Sequence, residues 1–95
     1  MKKWSHEIVQ QVWEKATRVH GYDDFIYRKD QCGAWMESDR LGDHKAQFGW
    51  DIVKKDPNGS DDLSNLIGLY WQNAMESDGS VVCNYTAEDA QNVKK

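Results

Sequence analysis

Helical spacing of apolar positions marks the start of the chain. Ile8, Val9, Val12, Trp13 and Ala16 fall on one stripe, Ser5 stands where an N-cap belongs, and Trp4 and Val9 are placed for a hydrophobic staple. Gly21 ends the pattern. Residues 22–29 hold aromatic anchors without a period and predict an irregular connection. The short mixed stretch 31–37 (QCGAWME) predicts a strand, and 39–45, with Gly42 and several polar side chains, a loop. Aromatic and β-branched residues then concentrate in 47–53 (QFGWDIV), which predicts a second strand.

Asp56-Pro57-Asn58-Gly59 is a turn signal, since Pro presets φ and Asn-Gly tolerates positive φ. Ser60-Asp61-Asp62-Leu63 has the pattern of a capped helical turn, and 66–70 that of a short strand interrupted by Gly68. Residues 71–77 read most simply as a helix closed by Asp78-Gly79, 81–85 as a last strand, and the polar tail beyond Thr86 as helical or frayed. The expected architecture is α+β, in a single small domain over 1–95. There are no internal repeats and no linker long enough to divide the chain.

Composition narrows the class. Ninety-five residues sit near the lower end of what builds its own core, and five Trp, four Tyr and two Phe raise the apolar area each residue can bury. No run of about 18 apolar residues occurs, and the N-terminus is too polar for a signal peptide, so a cytoplasmic protein without a membrane association is expected. Cys32 and Cys83 fit no zinc framework, because C-x-x-C spacing is absent. In a reducing cytosol two free, buried thiols are expected, with one disulfide as the alternative.

Charge is unevenly spread. Residues 1–29 carry six Lys/Arg against four Asp/Glu, whereas residues 30–89 carry four against twelve. Binding to nucleic acid requires clustered cations that displace counterions from phosphate. The body of this chain has the opposite sign, which disfavours direct nucleic-acid binding. An acidic surface of this kind also serves solubility alone.

Several segments together resemble a compact bacterial family of HNH endonucleases, built on a ββα-metal finger. They are Val12-Trp13-Glu14-Lys15-Ala16, Arg28-Lys29-Asp30-Gln31-Cys32-Gly33-Ala34-Trp35, Phe48-Gly49-Trp50-Asp51-Ile52, Ser60-Asp61-Asp62-Leu63-Ser64-Asn65-Leu66 and Leu69-Tyr70-Trp71-Gln72-Asn73. The likeness runs from about residue 8 to 79, is most specific at 59–73, and places a finger over about 47–77. It implies an N-terminal helix followed by strand, turn, strand and helix.

The resemblance also implies what has been lost. The family's finger carries an Asp-His pair on its first strand, for a divalent metal such as Mg²⁺ and for a general base. A loop Asn holds that base, and a His or Asn on the helix completes the metal shell. Here Asp51-Ile52 is followed by Val53-Lys54-Lys55, and the segment up to Ser60 is shorter than the family's pattern. Asn65 matches the loop Asn, but Ala74 follows Asn73 where the helical ligand belongs, with Met75 and Glu76 beyond it. No catalytic or metal residue is therefore assigned. Were activity retained, His44, Asp51 and Asn65 would be its catalytic candidates, and Asp51 and Asp56 would hold the metal.

Each feature also has an ordinary explanation. Asn65 can serve only to bond loop backbone, Trp35, Trp50 and Trp71 to fill the core, Ser60-Asp61-Asp62 to cap a helix, Lys54-Lys55 to be solvated, and His44 to be an exposed loop histidine. The replacement of catalytic groups by apolar ones points instead to a contact face of Lys54, Lys55, Tyr70, Ala74, Met75 and Glu76. The expected function is a non-catalytic HNH-like binding or inhibitory protein, of the kind mobile elements carry against host defence (anti-CRISPR inhibitors are one example). Its partner would be a nucleic-acid-handling enzyme or nuclease effector with a basic groove, met in the host cytoplasm if the chain is phage-encoded. The alternative is a metal-dependent DNA endonuclease of HNH type with a remodelled site.

Overall fold

The computed structural model describes residues 4–86. The tail expected to be helical or frayed, beyond Thr86, lies outside the described residues. Among the described residues the elements are one α-helix, two single 3₁₀ turns and six short strands paired as three antiparallel hairpins, so the α+β class holds.

The first helix, α1, spans His6–Glu14. Ser5 Oγ accepts the Ile8 N–H at 3.2 Å, as expected of the cap. Val12 and Trp13 are buried, with Trp4, Ile8, Val9 and Ala16 packed around the same cluster. The helix stops well before Gly21, and the reason is Arg28. Its Nη1 donates to the carbonyls of Trp13, Glu14 and Ala16 at 3.0–3.4 Å, and its Nε to Asp24 O at 2.8 Å. A buried guanidinium thus satisfies the carbonyls that a longer helix would have bonded. Thr17 then leaves the helix and exchanges two 2.9 Å backbone bonds with Lys29.

Strands β1 (Tyr27–Lys29) and β2 (Trp35–Glu37) pair antiparallel, with Lys29 opposite Trp35. So the connection expected to be irregular ends in a strand. The strand expected at 31–37 begins only at Trp35, because Asp30 holds residues 31–34 in a turn. Asp30 Oδ1 accepts the N–H groups of Cys32 and Ala34, both at 2.9 Å.

Strands β3 (Trp50–Lys54) and β4 (Leu66–Tyr70) form the longest hairpin, with Trp50 opposite Tyr70 and Lys54 opposite Leu66. One face turns Trp50, Ile52, Leu66 and Tyr70 to the core, while Asp51, Val53, Ile67 and Leu69 occupy the other. Ile52 opposes Gly68, where a Cβ would stand 2.9 Å from the Trp50 ring. Gly68→Ala is therefore expected to destabilise by about 1–3 kcal/mol through overpacking, read as a lower denaturation midpoint. A 3₁₀ turn at Leu63–Asn65 replaces the side-chain-capped helical turn expected at 60–63, and Asp62 makes no side-chain cap bond. Lys15 docks α1 onto this turn, its Nζ donating to Leu63 O and Leu66 O at 2.7 and 2.6 Å. Partial burial, then the neighbouring Lys55, pulls the Lys15 amine below its ordinary value.

The helix expected at 71–77 does not form. The chain turns after Tyr70, whose carbonyl accepts Asn73 N at 2.8 Å, and continues as β5 (Ala74–Met75), paired with β6 (Val81–Val82). Two facts oppose a helix here. The Asn73 side chain is drawn inward onto Asp30 Oδ2 at 2.8 Å and onto both backbone groups of Tyr85. Gly79, at φ +86°, closes a tight hairpin in which Glu76 N reaches Ser80 O at 2.8 Å. The strand–strand–helix order is therefore not reproduced among the described residues. The last strand is also shorter than the expected 81–85.

In that hairpin turn the Ser80 hydroxyl and N–H both donate to Asp78 Oδ1, at 2.6 and 2.9 Å, and hold its carboxyl below the ordinary value. A depressed carboxyl favours the closed turn above the ordinary Asp range and loses that contribution as pH falls through the folded value. An NMR titration of the Ser80 amide is expected to show the turn loosening on acidification, and Asp78→Asn to remove the transition.

The cysteines are not free. Cys32 and Cys83 form a disulfide with Cα atoms 5.5 Å apart. The turn that Asp30 imposes at Cys32 and the Tyr85 anchor on Asn73 bring the two segments together, a juxtaposition that the spacing of two lone cysteines does not reveal.

Candidate functional site

The face of the β3–β4 hairpin that points away from the core carries the candidate chemistry. Asp51 projects from β3 on this face, and the 43–49 loop folds back to meet it. That loop is fixed at both ends: Gly42 N donates to Trp50 O at 2.7 Å, and Trp71 N to Gly49 O at 3.1 Å. Gly49 is required there, because a Cβ would overlap the Asp43 carbonyl. Asp43 Oδ1 accepts the N–H groups of Lys45 and Ala46, both at 3.1 Å, and so turns the chain at His44.

The result is a histidine–carboxylate pair. His44 Nε2 lies 2.9 and 2.8 Å from the two Asp51 oxygens, and the imidazole stacks on the Trp71 ring at 5.4 Å and 14°. The His44 side chain is 52% exposed. In the neutral tautomer that donates Nε2–H to Asp51, Nδ1 carries the free lone pair of this half-exposed side chain. Chemically this is an oriented base. Two of the residues expected of a remodelled catalytic site are thus brought together, and Trp71 is a third member that the sequence assigned only to the core.

Asn65 and Asp56 are elsewhere. Asn65 Nδ2 donates to Asp56 O and Ser60 O at 3.0 and 2.8 Å, and its Oδ1 accepts Asp56 N at 2.9 Å. Asp56 Oδ1 accepts Asn58 N at 3.0 Å. Both side chains build the 56–65 loop, and the ordinary explanation of Asn65 describes its contacts. The Asp51 to Lys54 steps alone span about 10 Å along β3, so Asp51 and Asp56 do not converge on one ion. Among the described residues no three His, Cys, Asp or Glu side chains gather as a metal cluster.

The expected contact face divides. Lys54, Ala74 and Met75 line one shallow depression of about 480 Å³ together with Val53 and Pro57. Lys54 Nζ is held by Asp61 Oδ1 at 3.0 Å and by Gly59 O at 3.2 Å, so it forms a wall of the depression rather than a free cation. Ala74 and Glu76 are exposed, and Lys55 is exposed next to this wall. Tyr70 does not belong to the face: it is 5% exposed and packs inside the main core. Burial, then the neighbouring Tyr85, pushes its hydroxyl above the ordinary value. Val53 and Pro57 were not expected, yet strand alternation puts Val53 beside Asp51 on the outward face, a signal readable once β3 is assigned.

Asn73, which precedes Ala74 in the chain, joins a buried polar hub. Asp30, 3% exposed, accepts four hydrogen bonds: Cys32 N and Ala34 N on Oδ1, Tyr70 N and Asn73 Nδ2 on Oδ2, at 2.8–3.0 Å. Four donors suit an ionised carboxylate. The hub fixes Asn73, and so decides where Ala74 and Met75 emerge. Among the described residues no helix is long and apolar enough to cross a membrane. No family model, no curated protein and no solved structure matches the chain.

Proposed function

We propose that this chain is a non-catalytic, HNH-like binding protein that engages another protein through the depression lined by Val53, Lys54, Pro57, Ala74 and Met75. The observation that carries this reading is that depression. Residues from β3, from the following turn and from β5, distant in sequence, converge on one largely apolar surface at the edge of the sheet. The resemblance puts metal and base at Val53–Lys54 and at Ala74; in their place stand two aliphatic side chains and a lysine neutralised by Asp61. Asp56, next to Pro57, and Glu76, next to Met75, add negative charge at the rim. A partner with a basic groove, such as a nucleic-acid-handling enzyme or nuclease effector, is favoured electrostatically, chiefly in its rate of association. An inhibitor of such an enzyme, of the kind mobile elements carry, is the role that follows, and it would act in the cytoplasm.

The test is capture of a nuclease or other nucleic-acid enzyme from host lysate, compared with the Ala74→Arg variant. Ala74 is exposed, so a long side chain there leaves the fold intact while blocking the depression. At least a tenfold loss of capture is expected. Equal capture by both proteins, or retention of nucleic acid alone, sinks the reading.

A second reading has its own observation, the His44–Asp51 pair. An oriented imidazole is the general base that a metal-dependent endonuclease with a remodelled site requires, and Asp51 would then be shared with Mg²⁺. Plasmid incubated with the protein and Mg²⁺ or Mn²⁺ separates the two. Nicking lost in both His44→Ala and Asp51→Ala supports the enzyme, whereas intact plasmid at high protein concentration supports the binder.

A further inference from the structure

Among the described residues, β5 and β6 pair with each other and with no other strand. Beyond this hairpin, Asn84 Nδ2 reaches back to Gln72 O at 3.0 Å, and Tyr85 bonds Asn73 through both backbone groups. These hydrogen bonds close the segment upon itself. The body is reached through the Asn73–Asp30 bond, the Tyr85 ring 5.2 Å from Tyr70, and the Cys32–Cys83 disulfide. The hairpin also lies along the outward face of β3–β4: Met75 shares a depression with Val53, and Gly79 approaches the Lys55 carbonyl. Leu69, on that same outward face, is fully buried. Cys83 is exposed and Cys32 half-buried.

From this arrangement we infer that Cys83 is a thiol–disulfide exchange site for a dithiol reductant, and that its reaction unlatches the Ala74–Val82 hairpin from the sheet. A thiolate of the reductant attacks Sγ of Cys83, the more exposed of the two cysteines, forming a mixed disulfide and expelling Cys32 as a thiolate that takes up a proton. The reductant's second thiol attacks its own sulfur of that mixed disulfide, releasing Cys83. The protein gains two electrons and two protons, and the reductant leaves as its intramolecular disulfide. With the covalent tie gone, non-covalent contacts alone hold the hairpin, among them the Asn73–Asp30 bond, the Tyr85–Tyr70 ring contact and the approaches of Met75 to Val53 and of Gly79 to Lys55, while β3–β4 keeps its five-pair ladder and core face. Opening uncovers Val53 and dissolves the depression. The latch follows from the geometry of the chain and holds whichever partner the depression takes.

The experiment is hydrogen–deuterium exchange on the full chain, oxidised and after treatment with dithiothreitol, with intact mass reporting the two-proton gain. In the reduced protein, amides of 74–82 are expected to exchange at least tenfold faster relative to those of β3 and β4 than they do in the oxidised protein. A Cys83→Ser variant should show the same pattern without reductant. Three outcomes overturn the inference: a purified protein that holds two free thiols after oxidation, a disulfide that dithiothreitol cannot reduce in the folded state, or a reduced protein in which both regions lose protection in equal proportion.

Discussion

Replacing Asp30 with Ala is expected to lower the unfolding free energy by about 3–5 kcal/mol, enough to leave a chain of this size marginal. The carboxylate is buried and collects four donors from three separate segments: the 30–34 turn, the end of β4 and the Asn73 side chain. Alanine removes the shared acceptor and leaves those donors without a partner in a space too enclosed for easy hydration. Each abandoned buried group costs about 1–3 kcal/mol, with partial relaxation keeping the total below the simple sum. Urea denaturation followed by tryptophan fluorescence measures the change. Asp30→Asn discriminates the cause: it keeps the size, but its amide points a donor at donors, so it should recover less than half of the loss. Near-complete recovery would mean that packing volume, and not acceptor capacity, is what the hub supplies. Because Asn73 depends on Asp30, either variant should also weaken partner capture through the neighbouring Ala74 and Met75.

How far the fold could be read from the sequence depended on whether its causes were local. The α1 cap at Ser5, the Pro57-Asn58-Gly59 turn and the β4 strand are set by neighbouring residues, and each lies where expected. The end of α1 is set by Arg28, which belongs to another strand, so no pattern within 5–21 could mark it. The segment 71–77 has acceptable helical propensity, which yields to a side-chain bond from Asn73 to a residue 43 positions earlier. Long-range bonds of this kind override propensity worth only tenths of a kcal/mol per residue. The same holds for the disulfide, since a pair separated by 51 residues carries no spacing signal.

The candidate site was legible to a similar degree. Lys54, Ala74 and Met75 line one surface, to which the likeness in sequence points without any geometry. His44 and Asp51 are candidates of one remodelled site in the sequence, and the turn that Asp43 builds is what makes them hydrogen-bonded partners. Tyr70 departs from the expected face because its register opposite Trp50 puts it on the core side of the hairpin. The Arg28–Trp35 segment and Asn73, noted for their family likeness, are structural: they supply the cap on α1, the carboxylate hub and one half of the disulfide.

The second large effect is expected at Trp50. Trp50→Ala should cost about 3–5 kcal/mol, since the ring is fully buried and stands 5.2 Å from Trp13 at the centre of the main cluster. Trp50→Phe should cost much less, because it keeps most of the aromatic volume and removes an indole N–H that has no hydrogen-bond partner. The sharper test is the coupling with Gly68. A Cβ at Gly68 is obstructed by two atoms of the Trp50 ring, at 2.9 and 3.0 Å. The overpacking penalty of Gly68→Ala should therefore vanish once Trp50 is Ala, where the new methyl enters the cavity instead. A double-mutant cycle should return a coupling of about 1–3 kcal/mol favouring the pair. Additive losses would mean that Gly68 is needed for its backbone freedom, and that the indole does not set the spacing of the sheet. That spacing matters beyond stability. Trp50 holds β3 against the core, and so keeps Asp51 and Val53 turned outward to the two surfaces on which both functional readings rest.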